Sequence, residues 1–331
     1  MYKTAESVSP SHPDKLCDRI SDAILDACLE QDPMSRVAIE TFGCHGVIHV
    51  GGELTTQAFV NFRDIVTKIV PNYGVEVNIV QQSPEISQGV DIGGAGDQGI
   101  MVGYACDDNE DMIPQELYLA RWLCMYLYER FPNDGKTQIT IDNNGDIKEI
   151  VASFQNVKQN VLFDAIVGWM NEIDPEDLMD YNIHANPAGD WSIGGFDADT
   201  GLTGRKLMVD NYGPQIPIGG GCFSGKDATK VDRSAAYMAR KIAVDCLKRF
   251  NLKICKVKIA YAIGVEQPVM ANAVLIDKEN NAEEIDLLDN NKNIHYNLTP
   301  KGIIEYLDLR KPIYSETAKW GHFGRNNLWD K

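Results

Sequence analysis

The sequence predicts an α+β chain built from three helix–β-hairpin–helix units. Along its 331 residues the hydrophobic period changes from helical to alternating and back three times. Glycine-rich stretches at 89–103 and 189–225 separate these passages. No residue-level repeat accompanies the pattern, so the repeat is one of elements, and it suggests three sheets sharing a centre in place of one doubly wound sheet. Units of 1–91, 92–193 and 194–331 are expected, with elements open to exchange between them.

In the first unit a helix is predicted over 13–31, where Leu16, Ile20, Ala23, Ile24, Ala27 and Cys28 form one stripe. Strands over 36–42 and 46–54 follow, then a helix over 57–70. The second unit has a helix over 115–130, strands over 137–142 and 147–154, and a helix over 161–173. Its strands are joined by the turn signal Asn143-Asn144-Gly145-Asp146. The third has a helix over 233–250, strands near 255–262 and 269–276, and a helix over 300–307.

Lys and Arg number 31 against 48 Asp and Glu, a formal net charge of −17. Such a surface repels nucleic acid and anionic membranes, so neither is expected as a partner. An anionic ligand must therefore be met by local clusters of cations. No apolar run reaches a membrane span, and the N-terminal residues lack a signal-peptide layout. The eight cysteines form no CxxC and no zinc-like cluster, which suggests buried thiols in a reducing, cytoplasmic setting.

Gly94-Ala95-Gly96-Asp97-Gln98-Gly99 fits GxGxxG, but residues 100–104 read as strand where a dinucleotide site needs a helix. It reads as a loop bringing Asp97 to a ligand, or as a plain turn. Gly220–Lys226 fits GxxxxGK, yet Asp227 stands where a P-loop has its hydroxyl, and no buried strand precedes it. Glycine N–H groups with Lys226 and Lys230 still suit phosphate. A second cation loop, Gly204-Arg205-Lys206, strengthens a polyphosphate reading. Asp14, Asp18, Asp22 and Asp26 recur at i, i+4 and read as an acidic solvated face, with Asp14 alone placed to hold a hard cation such as Mg²⁺. His45 and His49 lie on a strand-like run, so their spacing does not make a zinc pair.

Taken in order, these segments resemble one family. Glu6-Ser7-Val8-Ser9, His12-Pro13-Asp14-Lys15, Gly51-Gly52-Glu53-Leu54-Thr55-Thr56, the Gly94 motif, 201–206, 219–233, Tyr261-Ala262-Ile263-Gly264-Val265 and Gly321-His322-Phe323-Gly324-Arg325 resemble S-adenosylmethionine synthetases from end to end. The resemblance implies three related domains around a pseudo-threefold axis. It also implies a homodimer, or a homotetramer built as a dimer of dimers, with active sites between subunits. The family joins L-methionine to ATP by sulfur attack on C5′, hydrolyses the bound triphosphate, and uses Mg²⁺ (two per site) and K⁺.

By the same resemblance His12, Lys136, Arg205, Lys206 and Lys226 are catalytic, with His12 near the breaking C5′–O5′ bond and the cations on the phosphates. Asp134, Gly135, Asp190, Trp191, Asp199 and Cys222 complete the ATP set, Trp191 stacking on adenine. Glu53, Gln82, Asp97, Asp199 and Lys230 match methionine positions. Asp14 and Asp232 match the Mg²⁺ carboxylates, and Glu40 matches the K⁺ ligand. This chain departs from the family at four places. The covering segment between Asp91 and Gly94 is short, so an open site is expected. Asp190, Asn156 and Ile218 stand where the family usually has a basic residue and two histidines. A P-loop-like kinase and a non-enzymatic nucleotide-binding regulator are the competing readings.

Overall fold

The computed structural model describes residues 1–82, 93–173, 181–289 and 295–331. The twelve strands, β1 (Lys3–Val8), β2 (Arg36–Cys44), β3 (Val47–Thr55), β4 (Gly74–Val80), β5 (Gly99–Cys106), β6 (Gly135–Ile141), β7 (Ile147–Phe154), β8 (Asn182–Ala185), β9 (Gly201–Leu202), β10 (Ile254–Tyr261), β11 (Met270–Ile276) and β12 (Ala282–Asp286), form three four-stranded sheets among the described residues. Eight helices accompany them among the described residues: α1 (Pro13–Leu29), α2 (Phe62–Ile69), α3 (Gln115–Arg130), α4 (Gln159–Ile173), α5 (Leu207–Asp210), α6 (Val231–Phe250), α7 (Pro300–Tyr306) and α8 (Tyr314–Thr317).

All three sheets have one plan. An antiparallel hairpin lies in the middle (β2–β3, β6–β7, β10–β11), and a strand from a distant part of the chain borders its first strand. β1 pairs with β6 from Lys3↔Ile141 to Val8↔Lys136, β5 pairs with β10 from Cys106↔Ile254 to Gly99↔Tyr261, and β9 pairs with β2 at Leu202↔Phe42. An isolated hairpin is marginal in water and its edge offers unpaired N–H and C=O groups, so the borrowed strand supplies partners the hairpin lacks. On the far side, β4 and β8 join parallel to β3 and β7 after the crossover helices α2 and α4. In the third sheet β12 follows β11 antiparallel and without a crossover helix, and the helix expected over 300–307, α7, comes only after it.

Each unit's long helix lies across its borrowed strand and the hairpin strand beside it: α1 on β9 and β2, α3 on β1 and β6, α6 on β5 and β10. Two of these crossings are too close for any side chain. A Cβ on Gly103 of β5 would lie 2.1 Å from the Ala239 carbonyl of α6, and one on Gly201 of β9 would lie 2.3 Å from the Pro13 carbonyl oxygen. One core joins α1 and α6 through Ile20, Ile24, Val37, Ile48, Met238, Ile242 and Val257. A second gathers Leu119, Leu123, Leu127, Ile139, Ile150 and Trp169, with Trp320 arriving from the C-terminal segment.

The predicted hairpins and long helices are present. The helix expected over 57–70 is shorter because its first residues have other partners. The Gln57 N–H donates to Asp32 and the Ala58 N–H to Thr56 Oγ1, and only at Asn61 does a side chain cap a helix, receiving the Asp64 N–H. The strand read after the Gly94 motif is β5.

The glycine crossings yield a direct test. Gly103→Ala forces β5 and α6 apart and is expected to destabilise the protein by about 1–3 kcal/mol or more. In Gly74→Ala the added methyl meets atoms no closer than 3.5 Å, so it serves as the control. Urea midpoints of the two variants check this, and equal midpoints would remove the close-approach account.

Candidate active site

The acidic stripe of α1 is not a solvated face. Asp14, Asp18 and Asp22 are buried and Asp26 is half-buried, because the face they share is turned toward the C-terminal loops. Each accepts backbone N–H groups there. Leu202 donates to Asp14 at 3.0 Å, Gly204 to Asp18 at 2.8 Å and Gly225 to Asp22 at 2.8 Å, while Tyr314 and Ser315 donate to Asp26 at 2.9 and 2.8 Å. Cations complete three of the rungs: Lys206 on Asp14 (2.6 Å), Lys15 on Asp18 (3.0 Å) and Arg233, through both terminal nitrogens, on Asp22 (2.8 and 2.7 Å). Burial raises the Asp14 pKa, but the hydrogen bonds from Lys206 and Leu202 outweigh it and hold the group below its ordinary value.

His12 caps α1. Its Nδ1 accepts the Asp14 N–H at 3.2 Å, which places the proton of the neutral ring on Nε2 and leaves a donor. Burial, helped by the Lys206 charge, drives its pKa down to about 3. Around it stand Lys206, Arg205 (Nε 3.6 Å from Asp14) and Lys136, which is exposed on β6 with Nζ 3.7 Å from Glu6. Register Val8↔Lys136 explains the arrival of Lys136: β1 runs into the His12 segment, so a residue of the second hairpin comes with it.

The Gly220–Lys226 loop lies along β2. The Ile39 N–H donates to the Gly225 carbonyl at 2.9 Å, and the Val37 N–H to Asp227 Oδ2 at 2.7 Å. Gly225 has φ +80°, and a Cβ there would lie 1.8 Å from the Ile39 oxygen. This is no P-loop, since α6 starts only at Val231 and the Gly225 N–H is taken inward by Asp22. Lys226 reaches Asp232 Oδ2 at 2.6 Å, with the Gly221 N–H on Asp232 Oδ1 at 3.3 Å; Lys230 pairs with Asp227. Lys226 also lines a cleft of about 400 Å³ together with Glu40, Glu53 and Ser224. Cys222 lies against Gly204, so the two cation loops touch, and burial pushes its thiol pKa up.

The other expected residues divide between two places. Asp134 accepts the Gly195 N–H at 2.9 Å, and burial raises its pKa beside Asp199 and Lys136. Gly135 opens β6 next to it. Trp191 is half-buried and its Nε1 donates to Asn186 at 3.4 Å; Asn156, in the left-handed region at φ +62°, donates its N–H to the Trp191 carbonyl. Asp190 receives the Gln159 N–H at the start of α4, so its carboxylate has a local task. Asp97 and Asp199 are exposed and turn back on the N–H groups of Gln98 and Thr200. Gln82 is half-buried, and Gly99 abuts Asp232, which brings the Gly94 motif to the Lys226 loop. The short segment between Asp91 and Gly94 lies largely outside the described residues. His49 pairs with Glu76 at 3.0 Å, and His45 is in the β2–β3 turn.

Nothing in the sequence marks Asp18 and Asp22 as parts of this site beyond their spacing from Asp14, which cannot say whether a face meets water or protein. No group of three or more His, Cys, Asp or Glu side chains able to hold a metal ion occurs among the described residues. Asp14 and Asp232 nevertheless each present carboxylate oxygens to an ammonium group, a donor set suited to a hard cation whose other ligands are water and phosphate.

Residues 1–88 match the N-terminal domain of S-adenosylmethionine synthetase, 92–191 its central domain and 193–331 its C-terminal domain. The chain is 41% identical over 375 residues to S-adenosylmethionine synthase of Treponema denticola, covering 100% of this chain and 95% of that protein. It is 41% identical over 368 residues to S-adenosylmethionine synthase of Sorangium cellulosum, covering 99% and 87%.

His322 is fully buried, and its Nδ1 shares a hydrogen bond of 2.7 Å with the Tyr237 hydroxyl. Burial, then the charges of Arg233, Lys15, Arg325 and Arg121, keep its pKa well below 6.5. Below pH 6.5 the unfolded chain therefore binds a proton that the folded chain does not. This stability is complete above pH 6.5 and is lost as pH falls, at a slope approaching about 1.4 kcal/mol per pH unit. Urea midpoints at pH 5.0 and 6.5 should differ less in His322→Gln than in the parent. An unchanged acid slope would show that His322 protonates freely in the fold.

Proposed function

Because the chain belongs to the S-adenosylmethionine synthetase family, whose activity is methionine adenosyl transfer, we propose that its clamp carries out the reaction in two steps on one site. It forms S-adenosyl-L-methionine from L-methionine and ATP: the sulfur bonds to C5′, the C5′–O5′ bond breaks, and the electron pair leaves on the triphosphate. The bound triphosphate is then hydrolysed to pyrophosphate and phosphate.

A neutral thioether is a modest nucleophile, so the enzyme's task is to orient the sulfur and stabilise the leaving charge. The convergence of Arg205, Lys206 and Lys136 on a neutral His12 supports this reading more than any other observation. His12 Nε2–H donates to the charge growing on O5′, and Arg205, Lys206, Lys136 and Lys226 meet the phosphates. Asp14 and Asp232 would hold the two Mg²⁺ ions and Glu40 the K⁺; bound there, these ions supply further neutralisation of phosphate charge. On phosphate binding Lys206 and Lys226 exchange their carboxylates for phosphate oxygens.

Trp191 stacks on adenine, with Asp134, Gly135, Asp199 and Cys222 around the nucleoside, and Asp190 serves by holding the Trp191 segment to α4. Glu53, Gln82, Asp97, Asp199 and Lys230 receive methionine, Lys230 suiting its carboxylate. Exposed Glu53 and Asp97 are consistent with a site completed by a second subunit, in a homodimer or a dimer of dimers. No helix among the described residues is long and apolar enough to cross a membrane, and the reading places the enzyme in the cytoplasm.

Incubation with ATP, methionine, Mg²⁺ and K⁺ should yield S-adenosylmethionine, pyrophosphate and phosphate in equal amounts by mass spectrometry; ADP as product would replace this reading with a kinase. In His12→Asn adenosyl transfer should fall by about 10²–10³. Hydrolysis of added triphosphate should fall much less, because O5′ has already departed. Equal losses in both activities would assign His12 to binding alone.

A further inference from the structure

One buried charge in this region has no place in the proposed chemistry. Lys15 is fully buried, and its Nζ donates to Asp18 Oδ2 at 3.0 Å and to Asp210 Oδ1 at 2.6 Å. These two carboxylates hold opposite ends of one short segment. Asp18 Oδ1 receives the Gly204 N–H at 2.8 Å, and Asp210 is the last residue of α5. Between them lie Arg205 and Lys206, the latter at the start of α5, where its carbonyl accepts the Asp210 N–H at 2.9 Å. The Asp210 carbonyl in turn receives the His322 N–H at 3.0 Å.

Residues 204–210 thus form a hoop closed over the first turn of α1, whose cap is His12. Burying an ammonium and two carboxylates is costly unless each finds partners, and here both carboxylates meet the one ammonium. Burial and the Asp210 charge push Asp18 up to about 7 against the opposing pull of Lys15, so Lys15 is what keeps two adjacent carboxylates tolerable.

We propose that Lys15 is a positioning residue for the triphosphate clamp: through Asp18 and Asp210 it fixes the 204–210 hoop, and with it the places of Arg205 and Lys206 relative to His12. The proposal rests on the functional reading above. Lys15 itself does not touch phosphate. It acts by setting the separation between the proton donor at O5′ and the cations that receive the leaving group.

The test compares the parent with Lys15→Met, which keeps the unbranched stem and removes the ammonium group, and with Asp210→Asn, which keeps an acceptor for Lys15 and loosens one end of the hoop. KM values for ATP and methionine, hydrolysis of added inorganic triphosphate, and melting temperature are measured for all three. A displaced clamp of the order of 1 Å should lower triphosphate hydrolysis by about 10–100-fold in Lys15→Met, and less in Asp210→Asn. In both variants the ATP KM should rise while the methionine KM stays within about twofold of the parent. If Lys15→Met is insoluble, the ATP-specific split in Asp210→Asn decides. Equal changes in both KM values, or unchanged triphosphate hydrolysis in folded variants, would overturn the proposal and leave Lys15 a structural residue. A parent that makes no S-adenosylmethionine would instead overturn the functional reading.

Discussion

Four carboxylates one helical turn apart on α1 hold the first unit to the last, and the candidate site is organised around them. Removing one partner from a buried ion pair typically costs about 3–5 kcal/mol, because the other charge is left without compensation. Here each carboxylate has backbone donors, and three also have a cation. The rungs occur in the order of the chain that meets them: 202 and 204, then 225, then 314 and 315. Two glycine-rich loops and α8 are therefore aligned along one helix, and Arg205 and Lys206 come out beside its N-terminus.

This alignment changes the meaning of the glycines. The GxxxxGK resemblance suggests N–H groups open to phosphate, but Gly225 gives its N–H to Asp22 and Gly221 gives its own to Asp232. Glycine is needed at 225 because the chain passes against β2 with no room for a side chain. On the proposed reading phosphate recognition therefore falls to side chains, among them Lys206 and Lys226, which pair with Asp14 and Asp232. In the proposed clamp each of these two cations is compensated by a carboxylate, which would turn to a divalent ion once the lysine moves to phosphate.

The strand exchange serves the same end. β1 belongs to the sheet of the second hairpin, β5 to that of the third and β9 to that of the first. A residue at the end of a borrowed strand is carried into a neighbouring unit, which is how Lys136 comes beside His12 and how Gly99 comes beside Asp232. The long helix over each borrowed strand then fixes the crossing, in two cases through a glycine contact that permits no side chain. Positions far apart in sequence are held together by sheet pairing, whose register tolerates no slip without exposing the core face.

By itself the sequence determined what neighbouring residues can determine. The hairpins and the long helices follow from periods of 2 and 3.6, the turn at 143–146 from its Asn-Asn-Gly-Asp chemistry, and the cation loops from composition; the order of motifs was enough to suggest the family. Tertiary structure decided the rest. Nothing in β1 or β5 names the strand it will pair with, since an alternating pattern specifies a face and not a partner. The spacing of Asp14, Asp18, Asp22 and Asp26 puts them on one side of α1, but whether that side meets water depends on chains nearly two hundred residues or more away. Lys15 is the clearest case. Its pair with Asp18 lies within one turn of helix, while the pair with Asp210 spans 195 positions, a contact that only the packed fold can create because no local period encodes it.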